Sequence, residues 1–449
     1  FAHKIVPTLQ NEILVYNNKQ RVIKGGINML QTNGEEKLRA YAEREFPKQL
    51  LKVSERVYHA LSYGHSNATI IIAANSVILV DTLNSRESGA RLKAEIENLT
   101  DKPVKTIIYT HSHPDHRGGS GVFRDTVEEI IAFAPVNKPL KYNEKIMRGL
   151  GARTIRQFGY NLSDEELITQ GIGIREDKSG YEMLPATTIY DEDIVEREID
   201  GVKLKLVRAP GETDDQIFVW LEEEKALCSG DNYYACWPNL YAIRGSSYRD
   251  VAAWVDSLGK MLEYNAEYLL PGHTRPIVGA DKVREVLTNY HAAIESVLLQ
   301  TLECIEKGMG LDEAVNTVKL PSELANLPYL GEHYGSIDWS VRSIYAGYVG
   351  WFDGAAVNLH RLSAKERANE LIPALGGAER VSTMIKKAQE AQKWQWSLEL
   401  CEIFLALEDS EEVLQLKIKA LRELAKLETS ANGRHYYLAS AYEAEEKLK

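Results

Sequence analysis

The run Thr110-His111-Ser112-His113-Pro114-Asp115-His116 constrains this chain more than any other feature. It follows directly on the apolar stretch 104–109, which reads as a β-strand. Three histidines and an aspartate within six residues have no use as packing. A strand end presents such side chains into a cleft. The spacing lets one loop serve two metal ions: His111 and His113 share one, while Asp115 and His116 turn toward another. Imidazole combined with carboxylate suits a borderline ion such as zinc.

One loop cannot complete two sites, so the rest of the chain must supply ligands. Glu212 sits in Ala209-Pro210-Gly211-Glu212-Thr213, a turn between two strand-like segments. Asp231 ends Cys228-Ser229-Gly230-Asp231 after an apolar run, where it is placed to bridge the ions. His273 follows Leu269-Leu270-Pro271-Gly272 in the same manner. Each recurs at the end of a strand.

At about 150 residues per domain, 449 residues suggest roughly three domains. With 44% hydrophobic and 26% charged residues, a disordered tail, a collagen and a coiled coil are excluded. Acidic residues outnumber basic ones 65 to 53, a formal charge of −12, which argues against nucleic acid or an anionic membrane as a broad partner. No apolar run reaches the roughly 18 residues of a membrane helix, so no integral membrane segment is expected. The cysteines Cys228, Cys236, Cys304 and Cys401 lie far apart, without disulfide spacing. The chain opens at Phe1 without a charged-then-apolar leader, and its localisation stays unknown.

Residues 1–50 read as a mixed, polar N-terminal extension, with Gly25 and Gly26 breaking a possible strand. Residues 68–73 and 77–81 form a hairpin, 85–99 an amphipathic helix, and 130–132 a further strand. Residues 141–200 look like a long loop-bearing insertion over a site. A second strand-rich block covers 202–208, 216–221, 226–228 and 268–270, with a helix over 250–264. After about residue 281 only helical patterns remain, and 380–449 reads as tandem amphipathic helices.

The HxHxDH run, the SGD aspartate and the PGH histidine together resemble the metallo-β-lactamase superfamily. Its fold is a four-layer αββα sandwich with metals at one sheet edge. Most hydrolases of that superfamily carry histidine where this chain has Glu212, and glutamate there is similar to the alkylsulfatase family. Residues 103–113 resemble that family's metal-loop strand, and 239–245 its substrate-anion segment. Residues 345–354, with Asn358-Leu359-His360 beyond, resemble its dimerisation domain. The resemblance spans roughly residues 45–410. Three departures bear on the alkyl chain preferred: Asp231 replaces the usual bridging glutamate, Pro271-Gly272-His273 is closer to the general superfamily, and a C-terminal sterol-carrier-like domain is not apparent.

The resemblance implies a catalytic domain over 1–280, a helical dimerisation domain over 281–405 and C-terminal helices over 406–449. It implies a binuclear zinc enzyme, with His111, His113 and Glu212 on one ion and Asp115, His116 and His273 on the other. Asp231 would bridge them. Two dications lower the pKa of a shared water and generate hydroxide at neutral pH, which would cleave an alkyl sulfate to alcohol and inorganic sulfate. Arg244 offers a forked guanidinium for the sulfate, with Asn239 and Tyr181 as further contacts. Asp115 and Tyr334 are the expected catalytic residues, Tyr334 being favoured over His333 as proton donor to the leaving alcohol. His59, His65, His291 and His435 show no partner pattern and read as structural or exposed. The aromatic stretch 337–354 favours a homodimer. Two rivals are a thioester or lactone hydrolase of the same superfamily, which Glu212 and Arg244 disfavour, and an inactive helical-repeat interaction protein, which the intact ligand set disfavours.

Overall fold

Along residues 217–221 the side chains Ile217, Val219 and Leu221 join one buried layer and Phe218 and Trp220 another. A strand that is apolar on both faces must be covered on both, and this dictates the architecture. The computed structural model describes residues 34–138 and 140–449. Gly25 and Gly26, with most of the expected N-terminal extension, lie outside the described residues.

The first sheet runs in sequence order through β1 (Gln49–Lys52), β2 (Val57–Leu61), β3 (Ala68–Ile72), β4 (Val77–Val80), β5 (Val104–Ile108), β6 (Glu129–Phe133) and β7 (Thr188–Tyr190). Its first four strands pair antiparallel and the last four parallel. The second sheet contains β8 (Ile194–Ile199), β9 (Val202–Arg208), β10 (Ile217–Leu221), β11 (Ala226–Gly230), β12 (Tyr268–Pro271) and β13 (Ile277–Val278), in the order β13-β12-β11-β10-β9-β8. Only β11 and β12 are parallel in it.

Ile71, Ile78, Ile108 and Ile131 meet Leu204, Leu206, Val219 and Leu270 between the sheets. The helix Arg86–Leu99 lays Leu92 and Ile96 on the outer face of the first sheet. It starts where it does because Ser85 and Ser88 form a capping box. The helices Val251–Leu262 and Ala280–Glu306 cover the second sheet, with Trp254 and Leu258 against Phe218 and Leu269. Truncating a buried tryptophan such as Trp254 would cost about 3–5 kcal/mol. The four layers are those the sequence pattern suggests.

Helices alone follow β13 among the described residues, ending in Glu411–Leu427 and Ala431–Glu446. The last helix returns to the sheet-bearing half. Its His435 Nδ1 donates to Gln157 O at 2.8 Å, and Glu443 pairs with Arg156 on the helix Met147–Phe158.

Two segments differ from expectation. The stretch 141–200 is not a loop insertion throughout: it holds the helix Met147–Phe158, a short helix Asp164–Leu167 and the edge strands β7 and β8. Both strands alternate between half-buried and exposed positions, so no apolar run marks them. The helix Met147–Phe158 buries only Gln157 and leans on a partner almost three hundred residues later. The polar stretch before residue 62 carries the helix Gly34–Glu45, β1 and β2, stabilised by packing that local pattern does not reveal.

Candidate metal centre

The strand ends gather the chemistry. Asp81 follows β4, His111 follows β5, Glu212 follows β9, Asp231 follows β11 and His273 follows β12, all at the carboxyl edge of the two sheets. The helix Pro114–Arg117 begins one residue after His113, with Pro114 at its first position, and turns Asp115 and His116 inward. Gly272 allows β12 to end against the centre: a Cβ there would lie 2.6 Å from Asp231 Oδ1.

Six of the seven expected ligands meet. His111 Nε2 is 3.1 Å from His113 Nδ1 and 3.7 Å from Asp231 Oδ2. His116 Nε2 is 3.2 Å from Asp231 Oδ1, 3.5 Å from Asp115 Oδ2 and 3.3 Å from His273 Nε2. His273 Nε2 lies 3.3 Å from Asp115 Oδ2 and 3.4 Å from Asp231 Oδ2. Ligand atoms about 2.1 Å from one tetrahedral ion stand about 3.4 Å apart, so these spacings are those of a cation cage. Asp231 belongs to both groups.

Glu212 stands slightly aside. Its Oε1 accepts from Arg249 Nη1 at 2.9 Å and its Oε2 from the Tyr234 hydroxyl at 3.4 Å. Burial and the neighbouring Asp231 push its pKa up to about 7, against the pull of Arg249.

Hydrogen bonds behind the imidazoles point their other nitrogens at the centre. Asp81 Oδ2 is 2.7 Å from His116 Nδ1 and also takes the Thr110 hydroxyl at 2.8 Å. Thr110 Oγ1, its proton given to Asp81, receives His111 Nδ1 at 3.0 Å. His65 O receives His273 Nδ1 at 3.1 Å. Each of these three rings therefore directs its Nε2 inward. Asp231 Oδ1 is buried with no donor bonded to it. Such convergence of acceptors requires cations, and the donor set fits metal ions.

The electrostatics agree. Burial opposes charge on His273, yet Asp231 and Asp115 carry its pKa up to about 10. Burial alone would raise Asp115 and Asp231, but His116 and His273 hold both well below the carboxylate range. Burial and the adjacent imidazolium of His116 lower His111, and burial with Arg249 brings His113 down to about 3.

The residues expected to contact sulfate are placed as follows. Asn239 is buried, and both polar atoms of its side chain lack partners. Its backbone N–H donates to Tyr234 at 2.8 Å and its carbonyl receives Arg249. Arg244 is half-buried, its backbone N–H fixed by Gln157 Oε1 at 2.8 Å, and its charge reaches His113 and Tyr334. Tyr181 stands on the rim, 49% exposed, with its hydroxyl donating to Glu176 Oε2 at 3.2 Å. Tyr334 is buried against Tyr234, within electrostatic reach of Glu212, Arg249, Asp115 and Arg244. His333 faces away and stacks on Tyr41 at 4.2 Å.

Comparison with known proteins is now decisive. Residues 62–273 match the metallo-β-lactamase superfamily, and residues 310–447 match alkyl sulfatase dimerisation. A linear primary-alkylsulfatase from a Pseudomonas strain is 33% identical over 394 residues, covering 85% of this chain and 74% of that protein. The chain belongs to the alkylsulfatase family of the metallo-β-lactamase superfamily. Members of the family are sulfuric ester hydrolases. The Saccharomyces cerevisiae alkyl/aryl-sulfatase is 28% identical, over 88% of this chain and 63% of its own length. The solved stereoselective inverting sec-alkylsulfatase from Pseudomonas superposes with a TM-score of 0.81 at 25% identity, over 88% of this chain and 65% of that one. The chain thus spans somewhat under two thirds of these last two.

Sequence reasoning missed four residues. Asp81 and Arg249 are lone charges whose partners lie far along the chain. Glu176 sits in the segment read as loop. His65, read as structural or exposed, is buried, and one of its ring nitrogens lies within 4.8 Å of ligand atoms of Asp115 and His273. His59 and His435 are buried and bonded within the fold, and His291 lies on a helix surface near Glu295.

Proposed function

We propose that this chain hydrolyses alkyl sulfate esters to alcohol and inorganic sulfate at a centre holding two zinc ions. The observation that carries this is Asn239, whose buried amide is unpaired on both atoms and whose backbone is held by Tyr234 and Arg249, the two partners of Glu212. A buried unpaired amide costs about 1–3 kcal/mol, a penalty removed when a sulfate oxygen accepts its N–H. Arg244 neutralises the anion, and Tyr181 closes its outer side from the rim.

In this reading His111, His113 and Glu212 would hold one ion, Asp115, His116 and His273 the other, and Asp231 would serve both. Two such ions would supply an acidified water as nucleophile at neutral pH. Asp115 orients the attack from its place among His116, His273 and Asp231. Tyr334 holds a proton at its buried hydroxyl, where burial and Glu212 raise its pKa well above the ordinary phenol value. That proton goes to the leaving oxygen of the alcohol.

Residues 1–280 carry the chemistry, 281–405 the dimer contact and 406–449 a brace of helices. The homodimer reading rests on the dimerisation match and on Trp351 and Tyr348, which are 79% and 50% exposed on one protomer. No described helix is long and apolar enough to cross a membrane. Sulfate release from a panel of primary and secondary alkyl sulfates tests the activity. Inertness toward the whole panel would overturn it. Elemental analysis should find close to two zinc per chain, and light scattering a dimer.

A further inference from the structure

His65 lies on the loop between β2 and β3, in the first sheet, while His273 ends β12 in the second. The two come together because Asn67 ties the loops: its N–H donates to Gly272 O at 2.7 Å, and its side chain to Pro271 O and Thr274 O. His65 is 3% exposed. Its Nδ1 is bound to Ile174 O at 3.0 Å, so that nitrogen carries the proton. Its Nε2 is left as a bare acceptor, buried and without a partner.

One ring nitrogen of His65, a carboxylate oxygen of Asp115 and a ring nitrogen of His273 lie within 4.8 Å of one another. Since His273 Nδ1 is spent on His65 O, its Nε2 is the nitrogen left to face the site. A ring nitrogen from each imidazole and the Asp115 carboxylate thus converge on one point, the donor set of a metal ion. The Nδ1–carbonyl bond is the arrangement that aims an imidazole at a metal.

We propose that His65 is an additional nitrogen ligand to the ion held by Asp115, His116 and His273. The inference rests on the metal-centre reading above and adds to it. His65 makes the two sites unequal: its ion gains a third imidazole, whereas the His111–His113 ion keeps two. The more strongly held ion is then the one on the β12 side.

Cobalt(II)-substituted full-length protein tests this, comparing the unaltered chain with His65→Ala and His65→Gln. Visible absorption reports coordination at each ion, and competition with a chelating dye reports release. In His65→Ala one of two ions should leave about 10–100-fold faster and its absorption band should shift, the other ion being unaffected. Both variants keep the backbone carbonyl that His273 uses, and His65→Gln, which fills more of the histidine's volume, should fold even where alanine fails. Two bound ions with unchanged spectrum and release in either folded variant would overturn the inference alone. No cobalt uptake by the unaltered chain would sink the metal-centre reading as well.

Discussion

Asp81 Oδ2 stands 2.7 Å from His116 Nδ1, while the same carboxylate takes the backbone N–H and the hydroxyl of Thr110. One buried acid thus orients both His116 and, through Thr110, His111. The arrangement needs an unusual backbone, because Asp81 has φ +62°, outside the range most residues favour. Replacing Asp81 by Asn should lower metal affinity about 10–100-fold at the ion held by His116. Chelator competition measures it. Asp81→Ala should add about 1–3 kcal/mol of destabilisation by stranding Thr110 N–H.

Glu212 and Arg249 form a buried pair, so removing one partner leaves an uncompensated charge. Glu212→Ala should cost about 3–5 kcal/mol of stability on that account. It should also reduce bound zinc toward one equivalent, the ion on Asp115, His116 and His273 being kept. Thermal unfolding and elemental analysis read the two effects separately. A stable variant with two ions would remove Glu212 from the ligand set.

Glu176 makes stability depend on pH. Burial and the nearby Asp115 push its carboxyl up to about 7, while Tyr160 and Tyr181 pull it down. The unfolded chain loses this proton near pH 4.5 and the folded one only near 7. Stability from this group is therefore full below about pH 4.5 and lost as pH rises through about 7. Glu176→Gln removes the effect, so its unfolding midpoint relative to the parent should rise between pH 5 and 8. A constant difference across that range would refute the assignment.

Much of the site was legible because each strand delivers its ligand at its own carboxyl end. His111, Asp231 and His273 all stand after apolar runs short enough to be read as strands. His65 and Asp81 were not legible, because their roles arise from contacts between loops of different elements. Nothing near His65 in the sequence announces Gly272, yet Asn67 binds it. Tyr334 was located by resemblance, and the structure adds its support: Ser430 Oγ donates to Tyr334 O at 2.7 Å while accepting Gly433 N–H as the cap of the last helix. Such a link between residues almost a hundred apart leaves no periodic trace.

That link carries its own expectation. Ser430→Ala should cost about 1 kcal/mol through the lost cap. If Tyr334 acts in the reaction, kcat should fall with little change in KM, since Asn239 and Arg244 remain in place. Steady-state kinetics on one alkyl sulfate decides it. An equal loss at Ser430→Ala and at an unrelated helix cap, Ser410→Ala, would show that stability alone is being read.

The bond that breaks depends on what Tyr334 does. Attack on sulfur cleaves S–O and expels an alkoxide, a poor leaving group that requires a proton. Attack on carbon cleaves C–O, inverts a chiral carbon and expels sulfate, which needs little help. Here Tyr334 is buried within electrostatic reach of Glu212, Arg249, Asp115 and Arg244, and burial raises the pKa of its hydroxyl, so it stays protonated. A proton kept there serves an alkoxide and is idle beside departing sulfate. Hydrolysis in ¹⁸O-water should therefore place label in sulfate, and Tyr334→Phe should lower kcat about 10²–10⁴-fold. Label in the alcohol, with Tyr334→Phe nearly silent, would assign this chain to C–O cleavage and leave Tyr334 a packing residue against Tyr234.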